Sequence, residues 1–211
     1  MSDELVFYTH PMSRGRMVRW MLEEVDAPYR TEILEFNASM KAPDYLAINP
    51  MGKVPAIRHG DTVVTECGAI CAYLADVFPH AGLAPPHGDR RRGPYYRWLF
   101  FAASPLEGAI VNRHLGVEVP PEKKMMVGYG EHADAMRGVA HALETGPYLL
   151  GEQFTAADVL LGSTLGWAMM TGGLEKTPQI EAYVGRLMAR PASKRAREID
   201  DALVRPSAAA Q

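Results

Sequence analysis

Cysteine is scarce in this chain, and what it lacks narrows what it can be. There are two cysteines in 211 residues, Cys67 and Cys71, four positions apart. On a helix they would share a face, but that spacing is no disulfide framework, and two free thiols fit a reducing cytoplasm. No Cys-x-x-Cys or His-Glu-x-x-His occurs and the seven histidines are scattered, so no metal is expected. Long apolar runs are missing too: nothing approaches the roughly 18 uncharged apolar residues of a membrane span. The opening MSDELVFYTHP has neither a positive n-region nor an apolar h-region. The expectation is a cytoplasmic protein without a membrane partner. Charge of one sign is also short, with a formal net of −3. The longest basic run, Arg90–Arg92, has no interleaved aromatics, so no nucleic-acid partner is expected.

What is present is ordinary globular composition, 47% hydrophobic, enough to build a core. Residues 4–8, ELVFY, read as a strand. From Arg14 the period changes, and Met17, Trp20, Met21 and Glu24 take helical spacing until Pro28. Residues 31–35 alternate like a second strand, and 40–46 suggest a short helix or turn. After NPMGKVPAI at 49–57, a strand over 54–58 and another over 62–65 flank Gly60-Asp61, which is a hairpin signal. A helix over 69–78 completes a β-α-β-(α)-β-β-α run. The Pro- and Gly-rich stretch 79–94 is the best boundary in the chain. Beyond it the periods are helical, over 95–115, 122–145, 155–171 and 178–190. Thr155 and Asp158 form a capping-box pattern, with Phe154 and Val159 placed as a hydrophobic staple. The small, polar tail from Val204 to Gln211 is expected to fray.

This order resembles the glutathione S-transferase family. Asn49-Pro50-Met51-Gly52-Lys53-Val54-Pro55 is similar to the family's N-P-x-G-x-V-P segment. Thr65-Glu66-Cys67-Gly68-Ala69-Ile70 is similar to its E-S-x-A-I segment, and Phe154 to Asp158 to its helical-domain capping motif. The three lie in order along essentially the whole chain. The fold implied is an α/β thioredoxin-like N-terminal domain over 1–80, a linker over 81–92 and an all-α C-terminal domain over 93–211.

The resemblance also implies a site for glutathione as cosubstrate, with no metal. In the family the Val54-Pro55 bond is cis and offers the backbone of Val54 to the cysteinyl part of the peptide. An X-Pro bond is where cis is accessible, at roughly 0.5–1 kcal/mol. Glu66 would face the ammonium of the γ-glutamyl end, and the helix start at Cys67 its carboxylate. Cys67 departs from the family's serine, and a thiol is a weaker donor. Lys53 could reach the glycyl carboxylate. The thiol needs an activator. Ser13, just before a helix, resembles the serine-type members, and can also act as an N-cap. Tyr8 is the rival, because Arg14-Gly15-Arg16-Met17 resembles tyrosine-type members, whose loop is shorter. Arg14 or Arg16 would bind a carboxylate or pair on the surface. Phe100, Phe101, Pro105, His114, Trp167 and Met170 are candidates for a hydrophobic substrate pocket, although such stripes are more often core. Thr155 and Asp158 are structural.

The function implied is a glutathione transferase attacking small hydrophobic electrophiles in detoxification, with isomerase, dehalogenase and peroxidase variants open. The alternative is a non-catalytic member of the same fold that binds glutathione or hydrophobic ligands, or serves as a scaffold. A third reading, thiol–disulfide exchange at Cys67 or Cys71, lacks the Cys-x-x-Cys partner. The family also implies a two-fold homodimer, with the helix at 66–78 facing the partner's helix at 95–113.

Overall fold

The computed structural model describes residues 4–204. In chain order it contains β1 (Leu5–Thr9), α1 (Gly15–Val25), β2 (Arg30–Ile33), α2 (Pro43–Leu46), β3 (Ala56–His59), β4 (Thr62–Thr65), α3 (Cys67–Val77), α4 (Arg92–Phe101), α5 (Glu107–His114), α6 (His132–Ala142), α7 (Ala156–Thr171), α8 (Pro178–Met188) and α9 (Pro191–Val204). The tail beyond Val204, expected to fray, lies outside the described residues. Two compact units result. The first runs through Ala81 and takes in the chain again from Arg190, and the second is Gly82–Ala189.

The first unit is built on a four-stranded mixed sheet of order β2-β1-β3-β4. β1 is parallel to β2 and antiparallel to β3, with Phe7 opposite Thr31 on one side and Ile57 on the other. Its five residues are all buried, which is why LVFYT reads as a continuous apolar run rather than an alternation. β3 and β4 form the expected hairpin around Gly60-Asp61, with His59 opposite Thr62. α1 ends at Asp26, in the left-handed region at φ 51°, before Pro28 is reached. The helix starts close against β1. A Cβ on Gly15 would fall 1.9 Å from the Thr9 hydroxyl, so only glycine fits there.

α9 packs along α1 in antiparallel ion pairs: Arg16–Asp201 at 2.8 Å, Arg19–Asp200 at 2.7 Å, Glu23–Arg195 at 3.1 Å and Glu24–Arg190 at 2.7 Å. Both members of the Arg19–Asp200 pair are 1% exposed. Arg19 also lies over the Phe7 ring, at 5.1 Å from its centroid, and donates to the Tyr29 hydroxyl. The chain therefore crosses between units twice, at 81–82 and at 189–190, where the sequence pattern suggests one crossing. The reason is a set of charge pairings between residues about 170 positions apart, which no local period reveals.

In the second unit the helical stretch expected over 95–115 widens to π-type bonding at Ala102–Leu106, around Pro105. Proline lacks the N–H for an α-helical bond and crowds the preceding turn, and the wider turn accommodates it. The helix expected over 122–145 is interrupted. Pro121–Met126 is a short 3₁₀ segment, and α6 begins at His132 after Gly130, which has φ 65°. At the start of α7 the capping box forms: the Asp158 carboxylate accepts from the Thr155 N–H at 2.8 Å and its hydroxyl at 3.0 Å. The other carboxylate oxygen accepts from the Leu149 N–H at 2.9 Å and the Tyr183 hydroxyl at 3.0 Å. Burial pushes the Asp158 carboxyl above its ordinary range against the pull of these four donors.

Candidate active site

The loop between β1 and α1 is closed by its own hydrogen bonds. The Ser13 N–H and hydroxyl both donate to the His10 carbonyl, at 3.0 and 2.7 Å. The Ser13 Oγ in turn accepts the Gly15 N–H, the first of α1, at 3.0 Å. The Met12 N–H donates to His10 Nδ1 at 3.1 Å, and Arg16 Nε donates to the Pro11 carbonyl at 2.6 Å. Ser13 thus caps the helix start, while its hydroxyl proton rests on a carbonyl that any stronger acceptor could displace. Arg16 is engaged with this loop and with Asp201, so it is a pairing residue rather than an open carboxylate binder. Tyr8 occupies a different setting. It is 9% exposed, in a cluster with Val6, Met40, Tyr45 and Ala56 against which Val54 packs.

The turn after α2 is held from beneath. The Lys53 carbonyl accepts from the Tyr45 hydroxyl at 2.6 Å and from Asn49 Nδ2 at 2.8 Å, while Asn49 Oδ1 accepts the Met51 N–H at 3.1 Å. Burial pushes the Tyr45 phenol up to about 12, and the nearby Tyr8 adds to the rise against the Asn49 hydrogen bond. The Val54–Pro55 bond is cis, as the family resemblance implies. Val54 precedes Ala56, the first paired residue of β3, so its peptide groups lie outside the strand ladder. The Lys53 side chain points into solvent.

The start of α3 is unlike the start of α7. Its N-cap is Glu66, at φ 70° and ψ 123°, with no side-chain cap and no acid in the first turn. A non-glycine residue at such an angle costs on the order of 1–3 kcal/mol and marks a backbone held for a purpose. Glu66 is exposed and Cys67 half-buried. The Cys67 thiol donates to the Arg14 carbonyl with Sγ 3.9 Å away, so the starts of α1 and α3 are neighbours. Cys71 is buried, and burial raises its thiol far above the ordinary range, so it is no nucleophile.

In the second unit the six candidate pocket residues separate. Phe101 packs edge-on against Trp98, centroids 5.6 Å apart, and its ring lies where a Cβ on Gly138 would fall, so it joins α4 to α6. His114 and Trp167 are brought together, with rings 6.1 Å apart. Phe100 and Met170 are exposed at 71% and 80%, and Pro105 sits in the π-type turn. Among the described residues no group of three or more His, Cys, Asp or Glu could hold a metal ion, and no helix is long and apolar enough to cross a membrane.

Residues 4–76 match the model of the glutathione S-transferase N-terminal domain, and residues 113–191 that of the C-terminal domain. The chain belongs to the glutathione S-transferase family. It is 33% identical to glutathione S-transferase GstA of Escherichia coli O157:H7 over 162 residues, covering 76% of this chain and 77% of that protein. A crystal structure of a glutathione transferase from Methylococcus capsulatus superposes with a TM-score of 0.79 at 30% identity, over 94% of this chain and 99% of that one. A sphingomonad glutathione S-transferase complexed with glutathione superposes with a TM-score of 0.76 at 26% identity, over 93% of this chain and 98% of that one. The expected fold, a thioredoxin-like sheet domain with an all-helical partner, is that of the family.

Several residues of this first-unit constellation escape the sequence reading. Tyr45 and Asn49 fix the Lys53 carbonyl. The signal for Asn49 was available, since an Asn two residues before a turn N–H is an Asx-turn. Nothing in the sequence announces Tyr45, the His10 ring or the φ of Glu66.

Proposed function

We propose that this chain is a glutathione transferase with a serine-type site. Glutathione lies with its cysteinyl backbone along Val54-Pro55, its γ-glutamyl carboxylate at the start of α3 and its ammonium against Glu66. Lys53 is free to swing to the glycyl carboxylate. The observation that carries this reading is the Cys67–Arg14 contact, which sets the two helix starts side by side. A free thiol has a pKa near 8.5, so at neutral pH only a few per cent is thiolate. The Ser13 hydroxyl turns its proton from the His10 carbonyl to the sulfur, which as an anion is the better acceptor. The Gly15 N–H still donates to Oγ and strengthens that donation. Bound thiolate is thereby favoured over thiol. The sulfur attacks an electrophilic carbon, a C–S bond forms and the leaving group departs with its electron pair; the thiol proton goes to solvent.

Tyr8 is the weaker candidate because its ring is packed among Val6, Met40 and Tyr45. The second substrate is a small apolar electrophile, for which Phe100, His114, Trp167 and Met170 are the candidate contacts. Phe101 and Pro105 serve packing and helix geometry. The working form is a cytoplasmic homodimer, which sedimentation at graded concentrations tests.

The decisive experiment is an ultraviolet difference titration of bound glutathione against pH in the wild type, Ser13→Ala and Tyr8→Phe. The expected result is a bound thiol pKa at least about one unit below the free value, lost in Ser13→Ala alone. Loss in Tyr8→Phe alone would move the role to tyrosine. An unshifted thiol in all three would leave a binding scaffold.

A further inference from the structure

Hydrogen bonds converge on residues 10–13, and those from the Thr9 hydroxyl, the Ser13 N–H and the Ser13 hydroxyl all end on the His10 carbonyl. Another ends on its ring. Because a backbone N–H can only donate, the bond from Met12 N–H to His10 Nδ1 at 3.1 Å fixes that nitrogen as the acceptor and puts the ring proton on Nε2. The ring is itself held. The Leu34 N–H donates to the Thr9 carbonyl at 2.9 Å, which carries the β1–β2 pairing one step past the strands and brings Glu35 and Phe36 beside His10. The Phe36 ring lies 4.2 Å from the imidazole, centroid to centroid, and Glu35 Oε2 is 3.9 Å from Nε2. The turn that presents them is closed by the Glu35 N–H to Ser39 Oγ at 2.8 Å. The imidazole is only 15% exposed.

We infer that His10 is a positioning residue for thiol activation: its Nδ1, acting through the Met12 N–H, holds the 10–13 loop in the form that keeps the Ser13 Oγ at the start of α1. The inference rests on the serine-type reading above. Its logic is geometric. Ser13 is tied to His10 by two bonds to one carbonyl, so the position of Oγ follows the path of the chain from 10 to 13. The side-chain bond to Met12 N–H is what closes that path from the other side. Without it, the loop keeps the Ser13–His10 bonds and the Arg16 hold on the Pro11 carbonyl but gains freedom at Met12, and the hydroxyl loses its fixed aim at a sulfur. Binding of the peptide through Val54 and Glu66 does not depend on this loop, so the effect belongs to thiol ionisation rather than to affinity.

The test uses the intact protein, glutathione as the probe and the bound-thiol titration as the readout, in His10→Ala, His10→Asn, His10→Gln and Ser13→Ala. Asn places its Oδ1 where Nδ1 stands, whereas Gln reaches the Nε2 position. The bound thiol pKa is expected to rise by about one unit in His10→Ala and His10→Gln, the size of one lost hydrogen bond. It should return to the wild-type value in His10→Asn, with the glutathione dissociation constant changed less than about threefold in all three. An unchanged thiol pKa in His10→Ala, alongside a shifted one in Ser13→Ala, overturns the inference and leaves the serine reading standing. An unchanged value in Ser13→Ala overturns the serine reading and the inference with it. If His10→Ala does not fold, equal thiol pKa values in the Asn and Gln variants overturn the inference.

Discussion

Two helix starts in this molecule are built in opposite ways. At α7 the Asp158 carboxylate takes four hydrogen bonds, the Thr155 box is complete, and both residues are buried. At α3 no side chain caps the helix, the N-cap residue is held at φ 70°, and Glu66 faces solvent. Both stretches resemble family motifs, and both begin a helix after an extended segment. The difference teaches what each is for. A helix whose first N–H groups are already satisfied by its own chain has a joint to hold. One that no side chain caps, and whose N-cap is held at a positive φ at a cost in backbone strain, is suited to the anion we propose it meets.

The largest effect that would test this contrast is at α7. Asp158→Ala should destabilise the fold by about 4 kcal/mol, because it orphans several buried donors at once. Urea unfolding would measure it. If Asp158 only holds the joint, the protein that remains folded should ionise bound glutathione at the wild-type pH. A shifted thiol would mean that the two helix starts are not independent.

Next in size is the support beneath the Val54 turn, and here the effect depends on pH. The Tyr45 phenol has an ordinary pKa of 10 and a folded value of about 12. The unfolded chain therefore sheds this proton first. The contribution is whole below pH 10 and is lost as pH rises from 10 to 12, about 2–3 kcal/mol in all. Tyr29, also at about 12 through burial and its bond to Glu23, adds a similar fall. Burial also raises Tyr183 and Cys71, which act in the same alkaline range, so Tyr45→Phe should lessen the alkaline loss of stability rather than abolish it. A stability curve of unchanged slope above pH 10 would contradict the burial-driven shift.

Legibility in the sequence followed the range of the interactions. The β3–β4 hairpin, the buried β1 and the Thr155–Asp158 box are written in neighbouring residues, and each forms. The helix break at Gly130 and the π-type turn at Pro105 were visible as residues but were outweighed by the apolar period around them. The place of α9 was not legible, because it depends on Arg19 meeting Asp200 across 181 positions, and a buried arginine within an apolar stripe looks like a surface residue until its partner is known. The same holds at the candidate site. Glu66, Cys67 and Val54-Pro55 are marked by motifs, and Ser13 by its place just before a helix. His10 and Tyr45 act through a ring nitrogen and a hydroxyl whose partners only the folded chain supplies.

At α3 the contrast predicts a change of opposite sign to that at α7. Glu66→Gly relieves the positive φ and should raise stability by about 0.5 kcal/mol. It also removes the carboxylate proposed to face the ammonium, and glutathione affinity should fall about tenfold, or about 1.4 kcal/mol. Calorimetric titration with glutathione and a melting curve on the same sample read both. Loss of stability with affinity intact would make Glu66 an ordinary first-turn acid.

The smallest effect is the most specific to this sequence. The thiol of Cys67 stands where the family motif has a hydroxyl, and it points to the Arg14 carbonyl at a distance only a sulfur hydrogen bond allows. A serine there would be a stronger donor with a shorter reach. Cys67→Ser should leave the backbone N–H of residue 67 in place and tighten glutathione by up to about 1 kcal/mol, a few-fold in dissociation constant. Weaker binding instead would mean that the thiol's hold on the Arg14 carbonyl, and through it the spacing of the two helix starts, matters more to the site than the donor it replaces.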